Sequence, residues 1–220
     1  MDSKSSRISC IIVAYIDYLH DKLLKLHTMK IDRKFFYDSV RKSLFGGKLS
    51  QSQVLGLETI LREFENKHSE IGIHQLAYIF ATAYHEVNKT MKPIEEYGKG
   101  KTRTYGRKIK MSRQPYNKPD KLYYGRGFVQ LTWFENYEKA SKKLGVDFLN
   151  NPELALNIEH ATSIMFEGMI EGWFTTKKLS DYFNAKGHDP VNARRIINGK
   201  DKAELIKDYY YHFVTALKLI

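Results

Sequence analysis

The chain reads as a mainly α-helical single domain with a small β element beside a cleft. Three observations predict this. Apolar residues recur at helical spacing through most of the chain from Asp32 onward. Strand-like stretches are few, namely "YYGRGFVQLTW" (123–133) and "TYGRKIKM" (104–111). The 220 residues with 42% apolar content suffice for one sizeable core.

The elements follow in order. Residues 1–28 differ in composition from the rest, and their apolar run from Ile8 to Leu19 is short for a membrane span and broken by Asp17. The stretch also lacks a secretory cleavage pattern. It is expected to be an extension dispensable to the domain at 29–220, or an artefact of start-codon choice. Phe35, Phe36, Val40 and Leu44 mark a first helix stopped by "FGG". A serine opens the next, with Val54, Leu55, Leu57, Ile60, Leu61 and Phe64 on its inner face. "HQLAYIFATAYHE" is apolar nearly all round, the pattern of a central core helix. Beyond a basic loop, "NYEKASKKLG" predicts a helix closed by Gly145, then a Pro-initiated turn. "HATSIMFEGMIEGWF" predicts a second buried helix. "DYF…DPVNARRIINGK" and "KAELIKDYYYHFVTAL" are expected to supply the last helices.

Composition excludes several classes. A lone Cys10 rules out an intramolecular disulfide framework and a multi-cysteine zinc site. The eight histidines show no ligand spacing, and neither a phosphate loop nor a dinucleotide fingerprint is present. No metal or cofactor is therefore expected. The net charge of +11 favours polyanions such as nucleic acid, anionic lipid or bacterial envelope polymers. It concentrates between Asn88 and Arg126, where twelve Lys/Arg face three acids, Glu95, Glu96 and Asp120. Tyrosines and glycines interleave with that charge, which suits a binding flap as well as a solvated loop.

Two groups of acids draw the chemistry. Glu86 stands at the end of the core helix, where partial burial lets a carboxyl hold a proton to give away. The other reading of this position is a capping or ion-paired glutamate. Glu95 and Glu96 lie ten residues on among lysines, a setting that favours ionised carboxylates. A proton donor facing an ionised carboxylate is the pairing of glycoside hydrolysis. His85 reads as a catalytic helper or a structural residue. Tyr123, Tyr124 and Trp133 read equally as sugar-stacking or core aromatics. Arg126, between two glycines, leans to a buried structural role over anion binding.

"AYHEVNKTMKPIEEYG" followed by "YYGRGFVQLTWFENYEKASKKLGVDFLNNPELAL" resembles family 19 glycoside hydrolases, with the nearest likeness to compact phage and bacterial members. "FFYDSVRKSLFGGKLSQSQVLGLETIL" and "ARRIINGK" extend the likeness from about Met29 to the end. The resemblance implies a lysozyme-like α-rich fold and single-displacement cleavage of β-1,4 bonds in an N-acetylglucosamine-containing polymer. By motif position it makes Glu86 the proton donor and Glu96 the base, with Glu95 as the alternative base. It makes Gln130 and Thr132 sugar contacts, Thr132 also holding the attacking water, and Asn136 and Asn198 substrate contacts. The chain departs from the family where Val87-Asn88-Lys89 stands for Thr-x-Gly, and where Lys200 stands for a second glycine.

The charge favours bacterial peptidoglycan as substrate, because chitin is neutral. The expectation is thus an endolysin of phage or prophage type, made in the cytoplasm without a clear signal and acting on the wall after release. It is expected to be a monomer that meets anionic envelope polymers, with neither nucleic-acid binding nor stable membrane insertion. The alternatives are a chitinase and a non-catalytic wall-binding relic.

Overall fold

A computed structural model describes residues 29–118 and 120–220, so the expectations for residues 1–28 lie outside the described part. Helix α1 (Arg33–Ser43) begins at Asp32, whose side chain accepts from the Phe35 N–H at 2.9 Å. Helix α2 (Gln51–Lys67) opens on a capping box in which Ser50 and Gln53 satisfy each other's backbone N–H groups. Helix α3 (Ile73–Glu86) is buried continuously from Leu76 to Tyr84. Its apolar circumference explains that position, because no face of it tolerates water.

Strand β1 (Ile94–Glu95) pairs antiparallel with β2 (Arg126–Gly127), placing Ile94 opposite Gly127 and Glu95 opposite Arg126. Helix α4 (Phe134–Leu144) ends at Gly145 in the left-handed region. A 3-10 turn over Pro152–Leu156 leads into α5 (Ile158–Glu171), capped by the Asn157 side chain. Helix α6 (Leu179–Tyr182), strand β3 (Phe183–Asn184), strand β4 (Gly187–His188) and a 3-10 turn over Asn192–Ile196 precede α7 (Ala203–Ala216).

The core centres on α3 against α7. Phe80 stacks on Phe213 with ring centroids 5.0 Å apart, and Tyr84 meets Tyr209 edge-on at 4.8 Å. Such pairs contribute about 0.5–1.5 kcal/mol each beyond area burial. On the other side, the Ser163 hydroxyl of α5 donates to the buried Glu63 carboxylate of α2 at 2.7 Å. The two ends of the described chain meet where Ile31 bridges Leu219.

Three expectations are corrected. The strip 123–133 is only briefly a strand: β2 runs straight into a tight turn whose closing bridge joins Arg126 to Leu131. "TYGRKIKM" forms a 3-10 turn over Tyr105–Arg107 with an isolated Ile109–Pro115 bridge. The stretch "DYF…DPVNARRIINGK", expected to supply helix, contains the β3–β4 hairpin, whose polar and glycine-containing second strand carries no alternation to reveal it.

Candidate active site

The predicted site residues fall into two groups. The first gathers at the end of α3. Glu86 is the helix's last residue and is half-buried. Its Oε1 forms an ion pair with Nη1 of Arg194, a buried residue in the 3-10 turn 192–196. Arg194 also donates through Nε to the Asp201 carbonyl at 3.1 Å, so its guanidinium is held from two sides. Its own carbonyl accepts from the Asn198 N–H at 3.1 Å, which ties that exposed asparagine to the same turn. Glu86 is therefore ion-paired, the alternative the sequence left open, and not an isolated half-buried carboxyl.

Just past Glu86, the departure from Thr-x-Gly has a structural signature. Lys89 takes φ 65, the left-handed conformation in which the family has glycine. A non-glycine residue there costs about 1–2 kcal/mol. The Lys89 N–H donates to the Tyr84 carbonyl at 2.7 Å, and its carbonyl accepts from Gln53 at 3.1 Å, which hold it in place. His85 beside Glu86 is half-buried, and burial lowers its readiness to take a proton below that of a free imidazole.

The second group surrounds β1 and the turn after β2. Glu95 ends β1 and Glu96 follows it in extended pairing with Gly125, so their side chains diverge. Glu95 accepts from the Tyr124 hydroxyl at 2.8 Å and pairs with Lys99 at 3.1 Å. Those two hydrogen bonds, the tyrosine's first, hold its carboxyl below the usual range. Glu96 instead accepts from the Tyr105 hydroxyl at 2.8 and 3.0 Å and from the Gly125 N–H at 3.1 Å. The lysine expected to keep this pair ionised thus serves Glu95, and Glu96 is held by neutral donors.

Gly125 connects Glu96 to the motif residues. A Cβ at this position would meet Gln130 Oε1 at 2.8 Å and Thr132 Oγ1 at 3.3 Å, so only glycine lets those side chains close over the Glu96 anchor. Gln130 adopts φ 54 and donates to the Ile94 carbonyl at 3.1 Å. Thr132 donates to the Gln130 carbonyl at 2.6 Å, leaving its hydroxyl oxygen able to accept. Asn136, on the first turn of α4, donates to the Thr132 carbonyl at 2.9 Å. Trp133, half-buried at φ 77, meets the Tyr105 ring edge-on at 5.2 Å.

Tyr123 does not belong to this surface. It is fully buried, donates to the Leu149 carbonyl at 2.8 Å and packs on Tyr116, Phe134 and Tyr137. Its place in a sugar site is withdrawn, because a ring enclosed on all sides cannot stack on a substrate. Arg126 takes the buried role: it donates to the Leu122 carbonyl at 3.0 Å and to the Tyr137 hydroxyl at 2.9 Å, and lies 3.6 Å over the Tyr124 ring. Tyr124 is likewise buried beneath it. Two residues that hold the candidate carboxylates escaped the sequence reading. Arg194 gives no local signal at 108 residues from its partner, and Tyr105 shows only as one tyrosine among interleaved cations.

Among the described residues no group of three or more His, Cys, Asp or Glu could hold a metal ion, and no helix is long and apolar enough to cross a membrane. A groove of about 680 Å³ lies along the β3–β4 hairpin and the turn carrying Arg194, lined in part by Tyr182, His188, Asp189, Asn192 and Arg195.

An α-rich fold with one carboxylate at a core-helix end and a second beside a glycine-anchored turn is the framework of a lysozyme-like hydrolase. The model of the chitinase class I family matches residues 72–204, more than half of the chain and inclusive of both groups. The chain belongs to glycoside hydrolase family 19, the chitinase class I family. Endochitinase 1 of Theobroma cacao is 42% identical over 85 residues, 39% of this chain and 24% of that protein. Inactive chitinase-like protein 1 of Hevea brasiliensis is 44% identical over 85 residues, 35% of this chain and 26% of that protein. The chain thus spans about a quarter of the length of these curated relatives. Among solved structures, a bacterial family 19 chitinase superposes with a TM-score of 0.52 at 23% identity, covering 85% of this chain and 95% of that one. Chitinase C from Streptomyces griseus HUT6037 gives 0.55 at 20% identity, covering 85% and 77%. These superpositions show the shared lysozyme-like, helix-rich fold.

Proposed function

We propose that this chain is a chitinase-type glycosidase that cleaves β-1,4 bonds in an N-acetylglucosamine polymer by single displacement. Glu86 gives a proton to the leaving oxygen, and Glu96 takes one from a water that attacks the opposite face of the sugar. Arg194 engages Oε1 of Glu86, so the proton is given from Oε2. Thr132 accepts a hydrogen bond from the attacking water, and Gln130, Asn136, Trp133 and Asn198 meet the sugar chain. The observation that carries this reading is the placement of Glu96 on the Gly125 N–H, beside Gln130 and Thr132, while Glu95 turns away to Lys99.

The relatives' names support chitin as the polymer better than the bacterial wall glycan that the charge suggested. The wall reading keeps one observation in its favour, the net charge of +11, which a neutral polymer does not call for. Similarity to a protein named as inactive means that family membership alone does not carry activity. Retention of both carboxylates supports it here. The test is sugar release from colloidal chitin beside turbidity loss of permeabilised bacterial cells, for wild type and Glu86→Gln. Wild type is expected to act on at least one, and Glu86→Gln to lose on the order of 100- to 10,000-fold. Full activity of Glu86→Gln on both would refute the mechanism.

A further inference from the structure

We propose that the flap over residues 97–118 is a preformed docking surface for carboxylates carried by the glycan itself. The flap holds eight Lys/Arg and no acid. Three of the eight are engaged locally: Lys99 with Glu95, Lys110 with Asn117 and Lys118 with Asn150. Lys101, Arg103, Arg107 and Arg113 are exposed and have no carboxylate partner among the described residues.

The flap is a folded unit. The Gly100 carbonyl accepts from Arg103 at 2.8 Å, and a Cβ on Gly106 would sit 1.8 Å from that same carbonyl, so the loop crosses itself where only glycine fits. Lys110 donates to Gln114 at 2.9 Å and Tyr116 to Lys108 at 2.8 Å, closing a hairpin-like turn around the Ile109–Pro115 bridge. Tyr116 is buried and its hydroxyl donates to the Tyr105 carbonyl at 2.7 Å. Cations on such a scaffold lose less conformational freedom on binding than cations on a free loop.

Its location selects the ligand. Tyr105 belongs to the flap and donates to Glu96, and the turn that carries it is closed by the Arg107 N–H donating to the Arg103 carbonyl at 3.2 Å. Tyr97, next to Glu96, stands fully in solvent. Arg103 and Arg107, two residues to either side of Tyr105, therefore lie near the position proposed for the scissile sugar, on the same folded flap as Lys101 and Arg113. Charges that reach them at fixed distance are those on the glycan strand, and a carboxylate, like a phosphate, is matched by a guanidinium fork in bidentate geometry. Separate phosphate polymers or nucleic acid would need no contact with Glu96. The inference rests on the reading of the Glu96 surface as glycan-binding and adds the substrate's charge to it.

Cosedimentation tests it without requiring catalysis. The probes are bacterial sacculi stripped of phosphate polymers, the same sacculi with carboxylates amidated by carbodiimide, and neutral chitin. The proteins are wild type and a variant combining K101Q, R103Q, R107Q and R113Q. Wild type is expected to bind stripped sacculi at least tenfold more tightly than amidated ones, with the difference lost between about 0.05 and 0.3 M NaCl. The variant is expected to lose that difference while matching wild type on chitin and in thermal midpoint. Equal binding to amidated and stripped sacculi, an unaffected variant, or duplex DNA displacing wild type more strongly than stripped sacculi would each overturn the proposal. Hydrolysis of a short neutral chitooligosaccharide, measured in parallel, reports on the catalytic reading separately.

Discussion

The two carboxylates of the candidate site are held by opposite means. Glu86 ends a helix that the core grips on every side, and a buried guanidinium engages it. Glu96 lies just beyond a two-residue strand and is held by a phenol and a backbone amide that belong to loops. Position at the first site follows from core packing. At the second it follows from a turn that glycine permits. The contrast is thus one of support, a charged partner within the core at Glu86 and neutral donors on loops at Glu96.

This contrast predicts unequal consequences. Removing Arg194 as Arg194→Met leaves Glu86 without its buried partner, which costs about 3–5 kcal/mol in comparable cases. A chemical denaturation curve with an unchanged midpoint would show that the pair does not hold the helix end. Acid should act on the helical scaffold through Glu63. Burial opposes ionisation of Glu63, but the nearby His68 and the hydrogen bonds from Ser163 and Lys67 outweigh it and bring the carboxyl from 4.5 to about 2. A depressed carboxyl adds stability that is full above 4.5 and lost as pH falls from there toward about 2, on the order of 3 kcal/mol. Glu63→Gln should flatten stability across that window. An equally steep acid loss in the variant would place its origin elsewhere. The smallest effect belongs to Tyr105→Phe, which removes one hydrogen bond to Glu96 and nothing from the core. It should lower turnover about five- to tenfold, equivalent to roughly 1 kcal/mol, with a thermal midpoint near wild type.

The same contrast explains what could be read in advance. The helices were legible because Ser50, Asn157 and Gly145 announce their ends and the apolar period is sustained across each. Motif order singled out Glu86, Glu96, Gln130, Thr132 and Asn136 as candidates, and the last four lie together around Gly125 and Thr132. The direction each side chain takes was not legible. Lysines were expected beside both Glu95 and Glu96, but Lys99 pairs with Glu95 while Glu96, just beyond the strand, turns to Tyr105 and Gly125, a divergence that emerges only with the β1–β2 register. Tyr123 and Trp133 sit ten residues apart in one strip, yet one is enclosed and the other lines the Tyr105 surface, because the tight turn after β2 redirects the chain between them. Arg194 reaches Glu86 only through the packing of the 3-10 turn, for which no local periodicity exists. The β3–β4 hairpin is largely exposed, so burial never wrote an alternating pattern into it.

The division of labour between Glu95 and Glu96 is the center of the account, and one comparison tests it most directly. Initial rates on a soluble chitooligosaccharide are measured for Glu95→Gln and Glu96→Gln beside wild type. Loss of about 100-fold or more in Glu96→Gln, with Glu95→Gln within a few-fold of wild type, is the predicted result. The reverse pattern would contradict the account, moving the base to the face that Lys99 and Tyr124 occupy.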